Sequence, residues 1–381
     1  MTIRTEMRTS LGGLPAAAWD AVVGDGCPFF EHAFLWGLER TGAIGPPTGW
    51  HPRYVLAWRG GDLVGALAMY RKDHSYGEFI FDWAWADAAQ RVGLPYYPKM
   101  VVAAPHSPVG GERFLLAPGE GDDVRDALLE EARRLTVAEP ATGLHWLFVT
   151  RAEAAFLQSR GLAVRHTHQF HWQNEGYATF DDFLERFRSK RRNQIRRERR
   201  QLSEQGVTVR VLEGDAIDDA AMAHAWAFYK DTVDKFFYGR RYLNRAFFDH
   251  LHAHFRDRLM LVFGERDGVV LGGAMNVRKG PVLYGRYWGC RADVRNLHFE
   301  LCSYAGIEAS IERGIQRFEA GAGGGGHKYH RGFLPVVTYS AHELYLPGLD
   351  DAVRRALAHE REHLAAELAG LEGHLLKPTD G

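Results

Sequence analysis

A run of glycines leads directly into a cluster of basic side chains, and this segment has the residue types most suited to chemistry. Residues 321–326 read Gly-Ala-Gly-Gly-Gly-Gly, and His327, Lys328 and Arg331 follow. A glycine run lets backbone approach a ligand closely. An ammonium placed beside an acyl carbonyl stabilises the oxyanion that forms when a nucleophile attacks. We therefore predict that Lys328 and His327 are catalytic and that Arg331 binds substrate; a surface loop with solvated charges is the alternative.

Further candidates lie on the strand and helix that precede the glycine run. His298 and Glu300 fall in the first turn of a predicted helix, where either is a candidate for the base that takes the proton of an attacking amine. Residues two apart on a helix point in different directions, so at most one of them faces the site. Arg286 is predicted to bind a carboxylate or a phosphate, and Trp288 to contact substrate, although Trp288 suits a core position equally. No Ser or Cys lies in a nucleophile-elbow pattern, so the sequence favours direct aminolysis over an acyl-enzyme.

The segment 186–200 is strongly basic in a chain of balanced charge. It contains nine Arg or Lys residues and one acid, Glu198, whereas the whole chain has a formal net charge of −1. Guanidinium groups pair with phosphate oxygens in a fork geometry. The arginines predicted to bind phosphate are Arg191, Arg192, Arg196 and Arg197. The sequence leaves tRNA, a nucleotide-sugar diphosphate and coenzyme A open as ligands, and a solvated helix without a ligand is the alternative.

The first half of the chain has fewer candidates. His74 and Glu78 are predicted to recognise an acceptor, and Arg113 to bind substrate; this half can equally be a degenerate copy kept for its shape. The nineteen histidines show no metal-ligand spacing, and His250, His252 and His254 fall in a predicted helix, so no metal site is predicted. Three cysteines form neither a disulfide framework nor a metal quartet.

The elements that must position these residues occur twice. Gly65-Ala66 and Tyr76-Gly77 recur at the same spacing as Gly273-Ala274 and Tyr284-Gly285. In each copy we expect the first pair to close an apolar strand and the second pair to open the next strand. A repeat of domain size indicates a tandem duplication rather than a solenoid.

Each copy is predicted to run through antiparallel strands and then helix, strand, helix and strand. The predicted helices are 122–136, 152–160, 246–256, 297–313 and 350–371, and the predicted strands are 54–58, 77–81, 100–104, 144–149, 164–172, 259–263, 283–289, 315–320 and 338–345. This is the element order of the GNAT acyltransferase fold. The sequence thus predicts an α/β protein with mixed sheets and two GNAT-like domains, 1–175 and 176–349, followed by a helical tail, 350–381.

Composition limits the class of protein. Hydrophobic residues make up 46% and charged residues 25% of the 381 residues, which is typical of a globular chain with proper cores. No apolar run is long enough to span a bilayer, and the first residues lack a secretory signal pattern, so a cytoplasmic protein is expected. Because net charge is near zero, any attraction to nucleic acid must be local.

Several long motifs, taken together, resemble the FemAB-like family of predicted N-acyltransferases over nearly the whole chain. The matching blocks are 29–36, 74–82, 96–99, 108–113, 284–289, 297–300, 327–333, 338–342 and the basic helix before Gly206. The better-studied Fem transferases have two GNAT-like domains and move an amino acid from aminoacyl-tRNA to an amine of a peptidoglycan precursor. Lys328 resembles the lysine of their Phe-Lys stretch, which is thought to stabilise the transition state. The resemblance also implies that the basic helix holds phosphates.

One departure bears on the donor. GNAT enzymes that use acetyl-coenzyme A carry an Arg/Gln-x-x-Gly-x-Gly/Ala loop at the start of the central helix, where backbone amides hold the pyrophosphate. The equivalent stretch here, 290–299, contains no glycine. We expect aminoacyl-tRNA as the acyl donor, acyl-coenzyme A as the alternative donor, and a non-catalytic binding protein as a third possibility. No tightly bound cofactor is predicted, the acceptor is a small-molecule or peptide amine, and the oligomeric state is left open.

Overall fold

The computed structural model describes residues 2–235, 240–323, 325–346, 348–371 and 375–377, so Gly324 of the glycine run and Pro347 lie outside the described residues. The chain forms two compact units. The first comprises Met1–Thr167 with Val337–Ala365, and the second comprises His168–Val336 with Ala366–Gly381. These boundaries differ from the predicted 175 and 349, because a late segment of the chain pairs into the first unit.

The first unit contains two groups of strands. Its strands are β1 Ile3–Arg8, β2 Trp50–Pro52, β3 Tyr54–Arg59, β4 Asp62–Leu67, β5 Met69–Lys72, β6 Lys99–Val102, β7 Leu115–Leu116 and β8 Gly143–Val149. Its helices are α1 Ala16–Val23, α2 His32–Arg40, α3 Trp83–Arg91, α4 Asp122–Ala138 and α5 Arg151–Ser159. Strands β1, β3, β4 and β7 form one sheet, and β8, β6, β5 and β2 are neighbours in another. One buried core contains residues from both groups of strands and from α4. Examples are Val55 of β3, Trp146 of β8 and Leu128 of α4.

The second unit carries a sheet ordered β10-β11-β12-β13-β14-β9, in which only β13 and β14 run parallel among the described pairs. Its strands are β9 Ala163–Gln173 (from His168), β10 Thr208–Glu213, β11 Leu259–Arg266, β12 Val269–Lys279, β13 Val282–Cys290 and β14 Arg317–Glu319. Its helices are α6 Phe180–Glu185, α7 Ser189–Glu204, α8 Asp219–Asp234, α9 Arg245–His254, α10 Leu297–Phe299, α11 Ala305–Glu312 and α12 Gly325–Tyr329.

Both units also contain short 3-10 helices. These lie at Pro28–Phe30 and Pro46–Thr48 in the first unit and at Gly214–Ala216 and Arg256–Arg258 in the second.

The end of the chain returns to the first unit. β15, Leu334–Leu344, pairs antiparallel with β8 from Tyr339 to Leu344, and α13, Leu349–Leu371, follows. This pairing draws the segment after Val336 into the first unit.

No helix of the described residues is long and apolar enough to cross a membrane.

Half of the sequence repeat survives as a structural repeat. Gly65 lies opposite Ala57 in the β3–β4 pair, as Gly273 lies opposite Phe263 in the β11–β12 pair. The second half does not: Tyr284 lies on β13, but the predicted strand at 77–81 is wrong. Gly77 has a φ of +81°, and a Cβ there would lie 2.6 Å from the His106 ring, so the chain makes a turn at this point. The other predicted helices and strands are present, with ends shifted by a few residues.

The predicted central helix contains an irregular turn. α10 and α11 are joined by a π-helical turn at Glu300–Tyr304. Turns of this kind occur frequently at functional sites. The helix ends before Gly314, whose φ of +65° is the left-handed C-terminal geometry expected of that glycine.

Candidate active site

A cavity opens in the second unit where β13 and β14 separate. The two strands pair only from Val282 to Tyr284 on β13, and a cavity of about 390 Å³ lies beyond that pairing, at their carboxyl ends. Ligands of α/β proteins commonly bind at this edge of a sheet. The predicted site residues that line this cavity are Arg286, Trp288, His298, His327 and Lys328. The structure therefore brings together five candidates that are up to 42 positions apart in the sequence, and we call this space the Lys328 cavity.

Lys328 lies on the short helix α12, where the sequence predicted only a loop. Its side chain is buried, and its Nζ donates a hydrogen bond of 2.7 Å to the carbonyl oxygen of Gly321. Burial lowers the pKa of Lys328 to about 8. Gly321 has a φ of +77°, and a Cβ there would lie 2.9 Å from the Gly285 carbonyl oxygen, so only glycine fits without strain. The glycine run thus supplies the backbone acceptor that orients the ammonium.

The two histidines of the Lys328 cavity are neutral at physiological pH. The His298 ring lies 4.5 Å from the Trp288 ring and 5.5 Å from the His327 ring. Burial, together with the neighbouring cations, lowers the pKa of His298 to about 4. Burial and the adjacent Lys328 also lower the pKa of His327. Each neutral imidazole can accept a proton or a hydrogen bond from a substrate.

Cys302 also lines the Lys328 cavity, and the sequence analysis did not single it out for this position. Burial raises the pKa of its thiol, and the nearby Lys328 only partly counteracts that effect. The thiol therefore stays protonated, and a protonated thiol is not a nucleophile. This finding agrees with the absence of a nucleophile-elbow pattern.

Glu300 does not reach the Lys328 cavity. Its carboxylate is buried and accepts a hydrogen bond of 3.1 Å from Arg199 Nε. Burial raises the pKa of Glu300, and the Arg199 guanidinium opposes that rise. Of the two helix residues predicted as base candidates, only His298 faces the cavity. The π-helical turn that begins at Glu300 directs this side chain toward α7 instead.

Arg331 is also held away from the Lys328 cavity. Its Nη2 lies 3.1 Å from Glu198 Oε2, and its guanidinium lies 3.2 Å from the centre of the Phe299 ring. The same Glu198 oxygen accepts a hydrogen bond of 2.5 Å from the Tyr304 hydroxyl. Sequence reasoning missed this structural role of Glu198, although a single acid inside a basic helix was a visible signal. We refer to Glu198, Tyr304 and Arg331 as the Glu198 cluster.

The four predicted phosphate ligands on the basic helix α7 differ in whether a carboxylate pairs with them. Arg192 pairs with Glu185, and Arg196 Nη2 lies 2.8 Å from Asp181 Oδ1. In the part of the chain that the structure describes, no carboxylate pairs with Arg191 or Arg197, and Arg191 Nη1 donates to Gln194 at 3.0 Å. Exposed ion pairs are weak, so all four guanidinium groups are available to a polyanion that offers more charge.

The positive charge of α7 affects a residue that lies beside the Lys328 cavity. Burial and then the nearby Arg191 lower the pKa of His330, which directly follows α12. The Glu198 cluster fixes this arrangement, because it joins α7 to the turn after Lys328. The start of the basic helix therefore lies close to the helix that carries Lys328.

The remaining candidates belong to the first unit, and two of them are buried. Glu78 lies 2.7 Å from the Lys99 ammonium, and burial raises the pKa of Glu78 to about 7. Arg113 is fully buried and donates to the carbonyl oxygens of Val109 at 2.5 Å and Leu147 at 2.7 Å. Arg113 thus holds backbone segments of its own unit together, and its predicted substrate binding stays a prediction. His74 is half-buried, with its ring 5.2 Å from the Tyr76 ring.

Comparison with known proteins gives one family match and several structural matches. The FemAB-like family model, described as peptidoglycan biosynthesis/recognition, matches residues 10–376. No curated protein matches the sequence. Among solved structures, FemX is 12% identical with a TM-score of 0.54, covering 92% of this chain and 99% of FemX.

Two further solved structures are also similar to this chain. The C-terminal domain of a putative lysylphosphatidylglycerol synthetase from Agrobacterium fabrum is 12% identical with a TM-score of 0.55, covering 90% of this chain and 94% of that domain. L-PGS from Bacillus licheniformis is 9% identical with a TM-score of 0.51, covering 84% and 95%. At these identities the likeness concerns the fold, and the predicted α/β architecture with tandem GNAT-like folds is confirmed.

Proposed function

The chain belongs to the FemAB-like family and is an acyltransferase, and from this premise we propose that it transfers an aminoacyl group from aminoacyl-tRNA to an amine by direct aminolysis. One observation carries the proposal: Lys328 is a buried ammonium, oriented by the Gly321 carbonyl, in a cavity at the carboxyl ends of two separating strands. A cation fixed in such a place stabilises negative charge that develops on an acyl oxygen.

The proposed reaction has a simple balance of bonds. A neutral amine attacks the ester carbonyl carbon, and the carbonyl oxygen becomes an oxyanion that faces Lys328. The new C–N bond forms, the C–O bond to the ribose breaks, and the amine proton ends on the ribose oxygen. Neutral His298 or His327 can carry that proton through the cavity, directly or through water. The protonated Cys302 thiol takes no covalent part.

The basic helix supports tRNA as the donor. Arg191 and Arg197 offer guanidinium groups without a carboxylate partner among the described residues, and Lys190 beside them is exposed. Because Arg191 lies near His330, a phosphate chain along α7 would lead its acyl end toward the Lys328 cavity. A polyanion neutralises several such cations at once and releases counterions.

Acyl-coenzyme A is the second candidate donor, and one observation favours it. A cavity of about 700 Å³ lies at the start of α10, is lined by Arg291 and Arg295, and shares Trp288 and His298 with the Lys328 cavity. Two arginines near a helix start suit a pyrophosphate. The absence of glycine from residues 290–299 weighs against it, because a pyrophosphate usually needs close backbone amides.

Binding of charged bulk tRNA and of acetyl-coenzyme A, each measured at two salt concentrations, tests the donor. We expect tRNA binding with a steep salt dependence, and a fall in the slope of log affinity against log salt of about 0.7 to 0.9 for each cation lost in an Arg191→Ala/Arg197→Ala variant. Arg210→Ala is the matched control, because Arg210 is exposed on β10 of the same unit and pairs with Glu265. Coenzyme A binding without tRNA binding would reject the tRNA proposal.

A further inference from the structure

Lys328 is a buried amine without an anionic partner. Its Nζ donates to the Gly321 carbonyl oxygen, and among the described residues no Asp or Glu lines the Lys328 cavity. Lys99 in the first unit is the opposite case, because its buried ammonium pairs with the Glu78 and Asp82 carboxylates. A buried cation without a counter-charge gives up its proton readily, and burial accordingly lowers the pKa of Lys328 to about 8. A fraction of the protein molecules therefore carries a neutral Lys328 at physiological pH.

A neutral Lys328 is a nucleophile in the place where the acyl group binds. One of its N–H bonds is used by Gly321, so the lone pair of the neutral amine points away from that carbonyl. A carbonyl oxygen that accepts a hydrogen bond from Nζ has its carbon within about 4 Å of the same nitrogen. Reacting atoms must approach to about 3 to 3.5 Å. Only a small shift of the acyl group thus separates stabilisation of the oxyanion from attack by the amine.

The rest of the cavity lining favours Lys328 as the group that reacts. The thiol of Cys302 also lines the Lys328 cavity, but burial keeps it protonated. Ala320, Ala322 and Gly323 are small lining residues, and the cavity of about 390 Å³ has room for an acyl group beside the lysine. A desolvated lysine in such a pocket is an activated nucleophile.

From these observations we propose that Lys328 is itself acylated when an acyl donor binds without an acceptor amine, and that this modification inactivates the protein. The inference rests on the proposed function and adds a modification site to it. In this step the Lys328 Nζ attacks the ester carbonyl carbon, a C–N bond forms and the C–O bond to the ribose breaks. The proton lost from Nζ ends on the ribose oxygen. The product is a neutral amide, far less reactive than an ester, so the cation that transfer requires is removed.

Mass spectrometry of the wild-type protein, incubated with acyl donors and without an acceptor, tests the proposal. The donors are charged bulk tRNA at pH 7 and p-nitrophenyl acetate, a small activated ester, at pH 7 and pH 9. We expect the peptide that contains Lys328 to gain one acyl group from either donor, and transfer activity to fall in parallel. Acetylation by the ester should be about 10-fold faster at pH 9, because the neutral fraction of a group with a pKa of about 8 rises by that factor.

Two other lysines and one variant serve as controls. Burial lowers the pKa of Lys72 to about 7, but Lys72 is fully buried with its Nζ 3.8 Å from the centre of the Trp50 ring, so it should stay unmodified. Lys190 is exposed on α7 and should react with the ester roughly 10-fold more slowly than Lys328 at pH 7. Lys328→Arg keeps a charged side chain and should gain no acyl group at that position. Thermal unfolding checks that this variant is folded.

The results distinguish failure of the inference from failure of the proposed function. Absence of modification at Lys328 with both donors would overturn the inference, even if charged tRNA supports transfer to an added amine. Modification of Lys72 or Lys190 as fast as Lys328 would also overturn it, because the cavity would then confer no reactivity. Full transfer activity after complete modification would overturn the inactivation. Modification by the ester, with neither modification nor transfer from charged tRNA, would support the site and reject the tRNA donor.

Discussion

At the scale of single residues, Lys328 is a cation that folding places in a buried position. Burying a charge opposes folding. Burial lowers its pKa from the ordinary 10.5 to about 8. Because the folded-state pKa lies below the unfolded one, the unfolded chain binds more protons between pH 8 and 10.5. The resulting penalty is present in full below pH 8 and is relieved as the pH rises toward 10.5. A residue kept at such a cost is a candidate for function.

Replacing Lys328 by Met should therefore stabilise the protein. The apolar side chain removes the desolvation penalty and keeps most of the volume, so at pH 7 the free energy of unfolding is expected to rise by about 1 to 3 kcal/mol. Denaturant unfolding at pH 7 and pH 10 measures the effect, which should shrink at the higher pH. A variant less stable than the wild type at pH 7 would show that the ammonium supports the fold.

The pKa of Lys328 also predicts the pH dependence of transfer. The rate should rise with pH while the acceptor amine loses its proton, and then fall above about pH 8 as the Lys328 ammonium is lost. In a Lys328→Arg variant the guanidinium keeps its charge, so the falling limb should disappear even if the rate is lower. Single-turnover rates from pH 6 to 10 give both profiles. A wild-type rate that keeps rising past pH 9 would assign Lys328 another role.

At the scale of elements, the Glu198 cluster decides where the basic helix lies. Glu198 is the one acid among the cations of residues 186–200, and it binds Tyr304 and Arg331 inside the unit. It thereby joins α7 to the π-helical turn and to the residues that follow α12. Under the proposed function, phosphate contacts made by α7 would depend on this joint.

Glu198→Gln should weaken this joint without changing a cation. The substitution leaves the buried Arg331 guanidinium without its counter-charge, so the free energy of unfolding is expected to fall by about 3 kcal/mol. Glu204→Gln is the matched control, because Glu204 is an exposed acid at the end of the same helix. Chemical unfolding of both variants gives the comparison. An equal, small effect in the two would mean that Arg331 does not depend on Glu198.

Much at this scale could be read from sequence, and the exceptions have physical causes. Apolar periodicity located α4 and α5, because one face of each is buried, and a continuous apolar run located β8, which is buried on both faces. The strand expected at 77–81 failed because Gly77 adopts a left-handed conformation, which a propensity argument does not reveal. His298 and Glu300 could not be told apart, since the π-helical turn that separates their directions leaves no periodic signal. Arg286 was identified, but its place in a bulge of the β12–β13 pair follows from strand register, which only the structure gives.

At the scale of the whole molecule, each unit has its own buried ionic arrangement. The first unit contains Lys99, whose ammonium binds Glu78, Asp82 and the Ser75 hydroxyl. Burial opposes its charge, yet the two carboxylates outweigh burial and raise the pKa of Lys99 to about 12. Asp82 also accepts a hydrogen bond of 2.6 Å from the Tyr96 hydroxyl. Glu78, which was predicted to recognise an acceptor, thus lies inside this network.

Lys99→Met is expected to destabilise the protein strongly. It leaves two buried carboxylates without their cation, which typically costs about 3 to 5 kcal/mol. Lys72 cannot replace it, because burial lowers the pKa of Lys72 to about 7. Thermal and denaturant unfolding measure the loss, with Lys190→Met, an exposed position on α7, as control. A loss of less than about 1 kcal/mol would show that the network is not needed for folding.

The sequence repeat predicted two similar folds but could not predict how the chain completes them. A repeat compares residues along the chain, whereas the pairing of β15 with β8 depends on which open strand edge a late segment finds. The unit boundaries at Thr167 and Val336 follow from that pairing. Family resemblance led to the acyltransferase class, and the burial of Lys328 adds what the motifs alone did not contain.

The central claim, that Lys328 stabilises the oxyanion of aminolysis, is tested most directly by single-turnover transfer from charged tRNA in a Lys328→Met variant. Glu300→Gln is the matched control, since Glu300 lies on the same central helix but outside the cavity. We predict that Lys328→Met slows transfer by at least about 100-fold at unchanged tRNA affinity, while folded Glu300→Gln stays near the wild-type rate. Transfer at the wild-type rate by Lys328→Met would contradict the account.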